Sequence, residues 1–225
     1  MTLIHLLRIV LAKSETEEAF VNSLLLPHFL TFAMSVIPIL ARTKRTRSGV
    51  TFKGGITSYE RTRQDIQRLL GDTSVTAVTT LIDYYNLPAT FPGIDDRPEG
   101  SCYDRVRHLE AALGQDVNNA RFLPFLTLHE FEAFLFAESG EIDGAFPDCR
   151  QSDKLAQEVS RFVSPEEINE GNTTHPAARI LRYHDSYSKP LHGPLIAQRI
   201  GLDTIRSTCT HFRDWMDQLE SLAKT

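Results

Sequence analysis

The chain has 225 residues, of which 41% are hydrophobic and 24% charged, and its net charge is −5. That is enough for one domain with an embellishment or for two small ones, and it excludes a disordered, collagen-like or low-complexity chain. The three cysteines (Cys102, Cys149, Cys209) are too few and too scattered for a disulfide framework or a CxxC metal knuckle, which points to a reducing, cytoplasmic compartment.

In chain order, Leu3–Leu11 is an apolar run of strand length, and Thr16 with Glu17 and Glu18 signals a helix start that should end near Pro27. Met1–Leu11 carries Arg8 and no small-x-small site, so no signal peptide is expected. Val21–Ala41 has no formal charge and is long enough to span a bilayer. Pro27, Pro38 and the polar residues between them fit a helix end, a turn and a buried strand at Thr31–Leu40 better. Arg42–Gly55 predicts a loop, Ser58–Leu70 a helix closed by Gly71, and Val75–Asp83 a strand covered on both faces.

Asn86–Gly100, rich in proline and glycine, predicts a long ordered loop. A helix at Tyr103–Leu113, a strand at Arg121–Leu128 and a helix opening at Glu130–Phe136 come next. Strands alternating with helices predict an α/β domain, residues 1–137, with a mostly parallel sheet. Residues 138–225 read as a mainly helical extension packed on it. Leu202, Ile205, Cys209, Phe212, Trp215, Leu219 and Leu222 line one face of a last helix, which either packs on the domain or docks a partner.

In parallel sheets, ligands sit beyond the carboxyl ends of the strands. That rule selects Glu15, Glu17 and Glu18, then Asp83, then Glu130 and Glu132. Carboxylates converging there repel one another unless a cation lies between them, and hard oxygen donors favour Mg²⁺ or Mn²⁺, which could position a phosphodiester and activate water. Glu17 and Glu18 serve equally as helix-start residues. Glu130 and Glu132 would point about 200° apart on a helix, so only one is expected in the site, whereas on an extended segment they would share a face. His-Glu-Phe-Glu-Ala lacks the second histidine of HExxH, and the histidines show no metal spacing.

From Arg42 to Arg68 eight cations face only Glu60 and Asp65, so the rest of the chain is more acidic than the whole. Arg42, Lys44, Arg45 and Arg47 are the candidate phosphate contacts, or simply a solvated loop.

The strings TEEAFVNSLLLPHF, DYYNLPATFPG, LHEFEAFLF, KPLHGPLIAQRIGL and CTHFRDWMDQL give the chain a resemblance to a bacterial family, domain of unknown function 4276, over nearly its whole length. The resemblance implies a TOPRIM-like fold akin to the nuclease half of OLD-family proteins. It also implies an ABC-type or AAA-type ATPase partner and a role in phage defence or DNA repair.

On that pattern Glu17, Asp83, Glu130 and Glu132 are the catalytic set, with Glu17, Asp83 and Glu130 on Mg²⁺ or Mn²⁺. The chain departs at Lys13-Ser14, where the family usually reads glutamate-glycine, and a lysine there repels a divalent cation. Three readings result: a metal-dependent nuclease, a catalytically inactive subunit docked on an ATPase, and, more remotely, a phosphotransfer enzyme. Phosphate affinity alone does not separate them. The sequence leaves a homodimer open.

Overall fold

The computed structural model describes residues 5–11, 15–40, 56, 58–146, 151–168, 171 and 173–224. The elements are β1 (His5–Leu11), α1 (Glu15–Phe20), a π-helical turn (Val21–Leu25), α2 (Leu26–Leu30), β2 (Met34–Leu40), α3 (Tyr59–Leu70), β3 (Ala77–Asp83) and α4 (Cys102–Val117). After them come β4 (Phe122–Leu123), β5 (Leu126–Thr127), a 3₁₀ helix (Phe131–Glu138), α5 (Gly140–Gly144), α6 (Ser152–Val159), a 3₁₀ turn (Pro165–Glu167) and α7 (Pro176–Tyr183). The chain closes with α8 (Lys189–Ile200), α9 (Leu202–Thr208) and α10 (Thr210–Leu222).

The strands lie in the order β2-β1-β3-β4, with β5 also on β3, and all these pairings are parallel. This is the expected α/β architecture, with a helical C-terminal part. The chain leaves β1 for β2 on one side and returns to place β3 on the other. The crevice between β1 and β3 is therefore the switch point of the sheet, where ligands of open parallel sheets bind. Among the described residues β2 is paired on one side only, by β1, and an edge position of this kind tolerates Pro38.

Three local expectations change. The helix predicted to end near Pro27 continues to Leu30, because Leu26 N–H bonds back to the Val21 carbonyl, five residues earlier. The widened turn just ahead of Pro27 accommodates a ring that an unbroken α-helix would not. The strand predicted at Arg121–Leu128 is two short strands, split at Pro124, which has no N–H to give. Threonine hydroxyls of β3 make up the loss: Thr79 Oγ1 donates to the Leu123 carbonyl (2.6 Å), and Thr80 Oγ1 accepts from Phe125 N–H (2.8 Å). The last helix is interrupted at Cys209, which is extended between α9 and α10.

Side chains alternate along β3, all but the last of them buried, and this sorts the core. Val78 and Ile82 face a cluster built with Ile66 of α3 and Leu109 of α4. Ala77 and Leu81 face a larger one that joins Leu7, Phe20 and Phe134 to Ile196, Phe212 and Trp215. The apolar face of the last segment is thus spent inside the chain, and the partner-docking alternative for it falls. The same alternation puts Asp83 on the side of β3 covered by the C-terminal helices. No described helix is long and apolar enough to cross a membrane.

Candidate functional site

Asp83 is the last residue of β3. The chains stay side by side beyond it: Tyr84 N–H donates to the Thr127 carbonyl and Tyr85 N–H to that of His129, both at 2.9 Å. His129 then adopts a left-handed conformation (φ 62°), which a non-glycine residue holds only under constraint from its surroundings. It is buried, and burial pushes its imidazole down to about 4, so it is neutral near pH 7. This turn delivers Glu130 in an extended conformation and opens the 3₁₀ helix, whose first N–H, from Phe131, donates to Asp83 Oδ1 (3.1 Å).

The expectation that only one of Glu130 and Glu132 enters the site is corrected here. Glu130 precedes the helix rather than lying on it, so helical spacing does not separate the two. Both reach Lys189 Nζ at the start of α8: Glu130 Oε2 at 2.8 Å and Glu132 Oε2 at 2.7 Å. Glu130 Oε1 also accepts from Ala177 N–H (2.6 Å) at the start of α7 and lies 2.8 Å from His175 Nδ1, which carries the proton because a carboxylate only accepts. Tyr85 stacks on the His175 ring with centroids 5.7 Å apart. Glu132 Oε1 accepts from the Tyr187 hydroxyl (3.1 Å).

Glu17, in the first turn of α1, is buried. α8 packs closely on α1: a Cβ on Gly193 would lie 3.1 Å from Thr16 Cγ2 and 3.3 Å from the Tyr187 hydroxyl.

The charges act on one another as a group. Burial pushes the Asp83 carboxyl well above its ordinary range, and the Glu17 charge pushes it further, against the pull of Lys189. Burial raises Glu132 to about 7 despite Lys189. Burial would raise Glu130 as well, but His175, Lys189 and the Ala177 amide bring it down to about 2. Burial also disfavours the Lys189 ammonium, yet Glu132, Glu130 and Asp83 outweigh it and hold the charge on.

Glu130 therefore contributes stability that is complete above the unfolded carboxyl value of about 4.5 and is lost as pH falls towards 2. Glu130→Gln is expected to cost on the order of 3 kcal/mol at pH 7, from the size of that downward shift. Urea titrations of both proteins should show the gap narrowing below about pH 4.5, and a gap that stays constant would contradict this assignment.

Glu17, Asp83, Glu130 and Glu132 thus meet at the carboxyl edge of the sheet. Arg42, Lys44, Arg45 and Arg47 lie outside the described residues, as do Lys13 and Ser14. The sequence reading missed Lys189, Tyr187 and His175. Lys189 opens the KPLHGPLIAQRIGL string, the only trace that could have pointed to it.

The four acids are donors of the type Mg²⁺ or Mn²⁺ prefers, but this arrangement does not fit such an ion. The Lys189 ammonium lies between Glu130 and Glu132, and among the described residues no three His, Cys, Asp or Glu side chains are placed to hold a metal ion.

The chain is similar to the C-terminal region of the Xanthomonas campestris pv. campestris OLD protein, with 16% identity, 95% of each chain covered and a TM-score of 0.41. It is similar also to the C-terminal region of the Burkholderia pseudomallei OLD protein, with 19% identity, 92% of this chain and 96% of that chain covered and a TM-score of 0.39. No curated protein matches it. The model of the family described as Domain of unknown function (DUF4276) matches residues 14–220, and with nearly its whole length so matched the chain belongs to that family.

Proposed function

We propose that the protein is a TOPRIM-like, nuclease-related domain acting on the phosphodiester backbone of nucleic acid, with an ABC-type or AAA-type ATPase as partner. The observation that carries the reading is the convergence of Glu17, Asp83, Glu130 and Glu132 at the switch point of a parallel sheet, with Asp83 pushed well above its ordinary range. Acids forced together at the cost of their own ionisation are characteristic of sites that work on a cationic or strongly polarised group. Mg²⁺ or Mn²⁺ is the cation whose chemistry suits phosphodiester hydrolysis, and Lys189 holds the acids in its stead.

Lys189 also supports a second reading, a catalytically inactive subunit of an ATPase complex. Its ammonium gives Glu130 and Glu132 a counter-ion without any metal.

The deciding experiment is incubation of the purified chain with DNA and with RNA in Mg²⁺ or Mn²⁺, wild type beside Asp83→Ala. The nuclease reading expects cleavage by wild type and a loss of at least about a hundred-fold in the variant, the scale of removing one electrostatic group from a catalytic site. No cleavage by wild type, or equal cleavage by both, would leave the inactive-subunit reading.

A further inference from the structure

Away from the carboxylates, α6 and α7 enclose an open cleft of about 670 Å³. Among the described residues, Lys154, Arg161, Arg179 and Arg182 line it, against one carboxylate, that of Glu158. In a chain of net charge −5 this is a concentrated positive patch. Its guanidinium groups are built in rather than loose. The Arg179 side chain is only 2% exposed, its Nε donates to the Thr174 carbonyl (2.7 Å), and its Nη1 lies 3.2 Å from Glu158 Oε2. Arg182 also pairs with Glu158 and donates to the Thr173 carbonyl (2.9 Å). Arg161 and Arg179 both lie over the Phe162 ring, 5.0 and 5.5 Å from its centroid. Lys154 and Arg161 are exposed at the cleft mouth.

We propose that this cleft binds a backbone phosphate of nucleic acid. The exposed Lys154 and Arg161 supply the phosphate contacts, while Arg179 and Arg182, whose donors are spent on Glu158 and on the Thr174 and Thr173 carbonyls, fix the wall of the cleft and add to its positive charge before the ligand arrives. The position is also suitable. Thr174, which lines the cleft, is joined directly to His175, which holds Glu130. A strand crossing the carboxylates therefore sets a neighbouring phosphate over α6 and α7. The inference rests on the nucleic-acid reading above, but not on catalysis.

The test is fluorescence anisotropy of labelled single-stranded and duplex DNA with the full chain in EDTA, so that cleavage plays no part, from about 50 to 200 mM KCl. Lys154→Glu with Arg161→Glu is compared with a charge-matched control, Arg213→Glu with Lys224→Glu, all four at exposed positions. Each phosphate-binding cation removed should flatten the salt dependence by about one unit of slope, so the double variant should lose about two units and its affinity should fall roughly ten-fold less than that of wild type between about 50 and 200 mM KCl. The expected result is an affinity loss of about ten-fold in the cleft variant and less than about two-fold in the control. Equal losses in the two variants, an unchanged slope, or no binding by wild type would overturn the proposal. So would stabilisation by inorganic pyrophosphate without any binding of DNA, which would assign the cleft to a free phosphate ligand. Failure of the cleavage assay with intact, cleft-dependent binding would remove the nuclease reading and leave the cleft.

Discussion

Lys189→Met is expected to destabilise the protein by about 1–3 kcal/mol at pH 8, because the acids it pairs with are buried but the lysine side chain itself is 44% exposed and its charge is partly screened by water. At this chain length that lowers the melting temperature by roughly 5 °C. The damage comes less from the missing ammonium than from the acids left behind: Glu130 and Glu132 have no counter-ion, and Asp83 and Glu17 lie beside them.

The sign of the pH dependence is set by Glu132, which burial raises to about 7 even with the ammonium in place. An acid with a raised folded value weakens the fold progressively as pH rises from about 4.5 through 7, because the charged form is the one the folded protein disfavours. Without Lys189 that penalty grows, so the gap between variant and wild type should be widest at about pH 8–9 and shrink towards about pH 5. Melting curves across that range check it, and a gap independent of pH would contradict the assigned role. The same variant tests the cation. With the ammonium gone, Mn²⁺ should raise the melting temperature of Lys189→Met more than that of wild type if the acids can close round an ion, and equal responses would argue that they cannot.

Trp215→Ala should cost about 3–5 kcal/mol, as large aromatic truncations in packed cores do. The indole stacks on Phe125 with centroids 4.3 Å apart and planes 13° apart, and its Nε1–H donates to Thr79 Oγ1 in the central strand (2.9 Å). Trp215→Phe keeps the stacking and gives up the hydrogen bond, so about 1 kcal/mol is expected. Denaturant unfolding of the isolated chain reads both. Were α10 a detachable docking helix, either change would leave the stability of the isolated chain nearly untouched.

The parallel sheet and the placing of Asp83, Glu17 and Glu130 at its edge were legible, because β-branched runs alternating with amphipathic helices have few other solutions and strand ends are where such folds collect chemistry. The resemblance to the family reached the same residues from the DYYNLPATFPG and LHEFEAFLF strings. The rest depends on geometry that no window of sequence carries. Lys189 lies 57 residues from Glu132, and nothing local distinguishes it from any lysine ahead of a proline. Glu130 and Glu132 were judged by helical spacing, whereas the left-handed turn at His129 places the first of them outside the helix. Pro27 signals a helix end, and only the preceding wide turn explains why the helix continues. Pro124 splits a strand that its apolar neighbours made appear continuous.

That wide turn at Val21–Leu25 has a consequence for Glu17. A stretch bonded five residues back holds one residue more than a regular helix of similar rise, so it absorbs that residue while the helical segments on its two sides keep their phase. Taking a residue out of a regular helix swings one end by about 100° relative to the other, whereas taking out exposed Asn22 and winding the rest regularly would leave the first turn pointing nearly as before. The wide turn is therefore the place where this helix tolerates a change of length without redirecting Glu17.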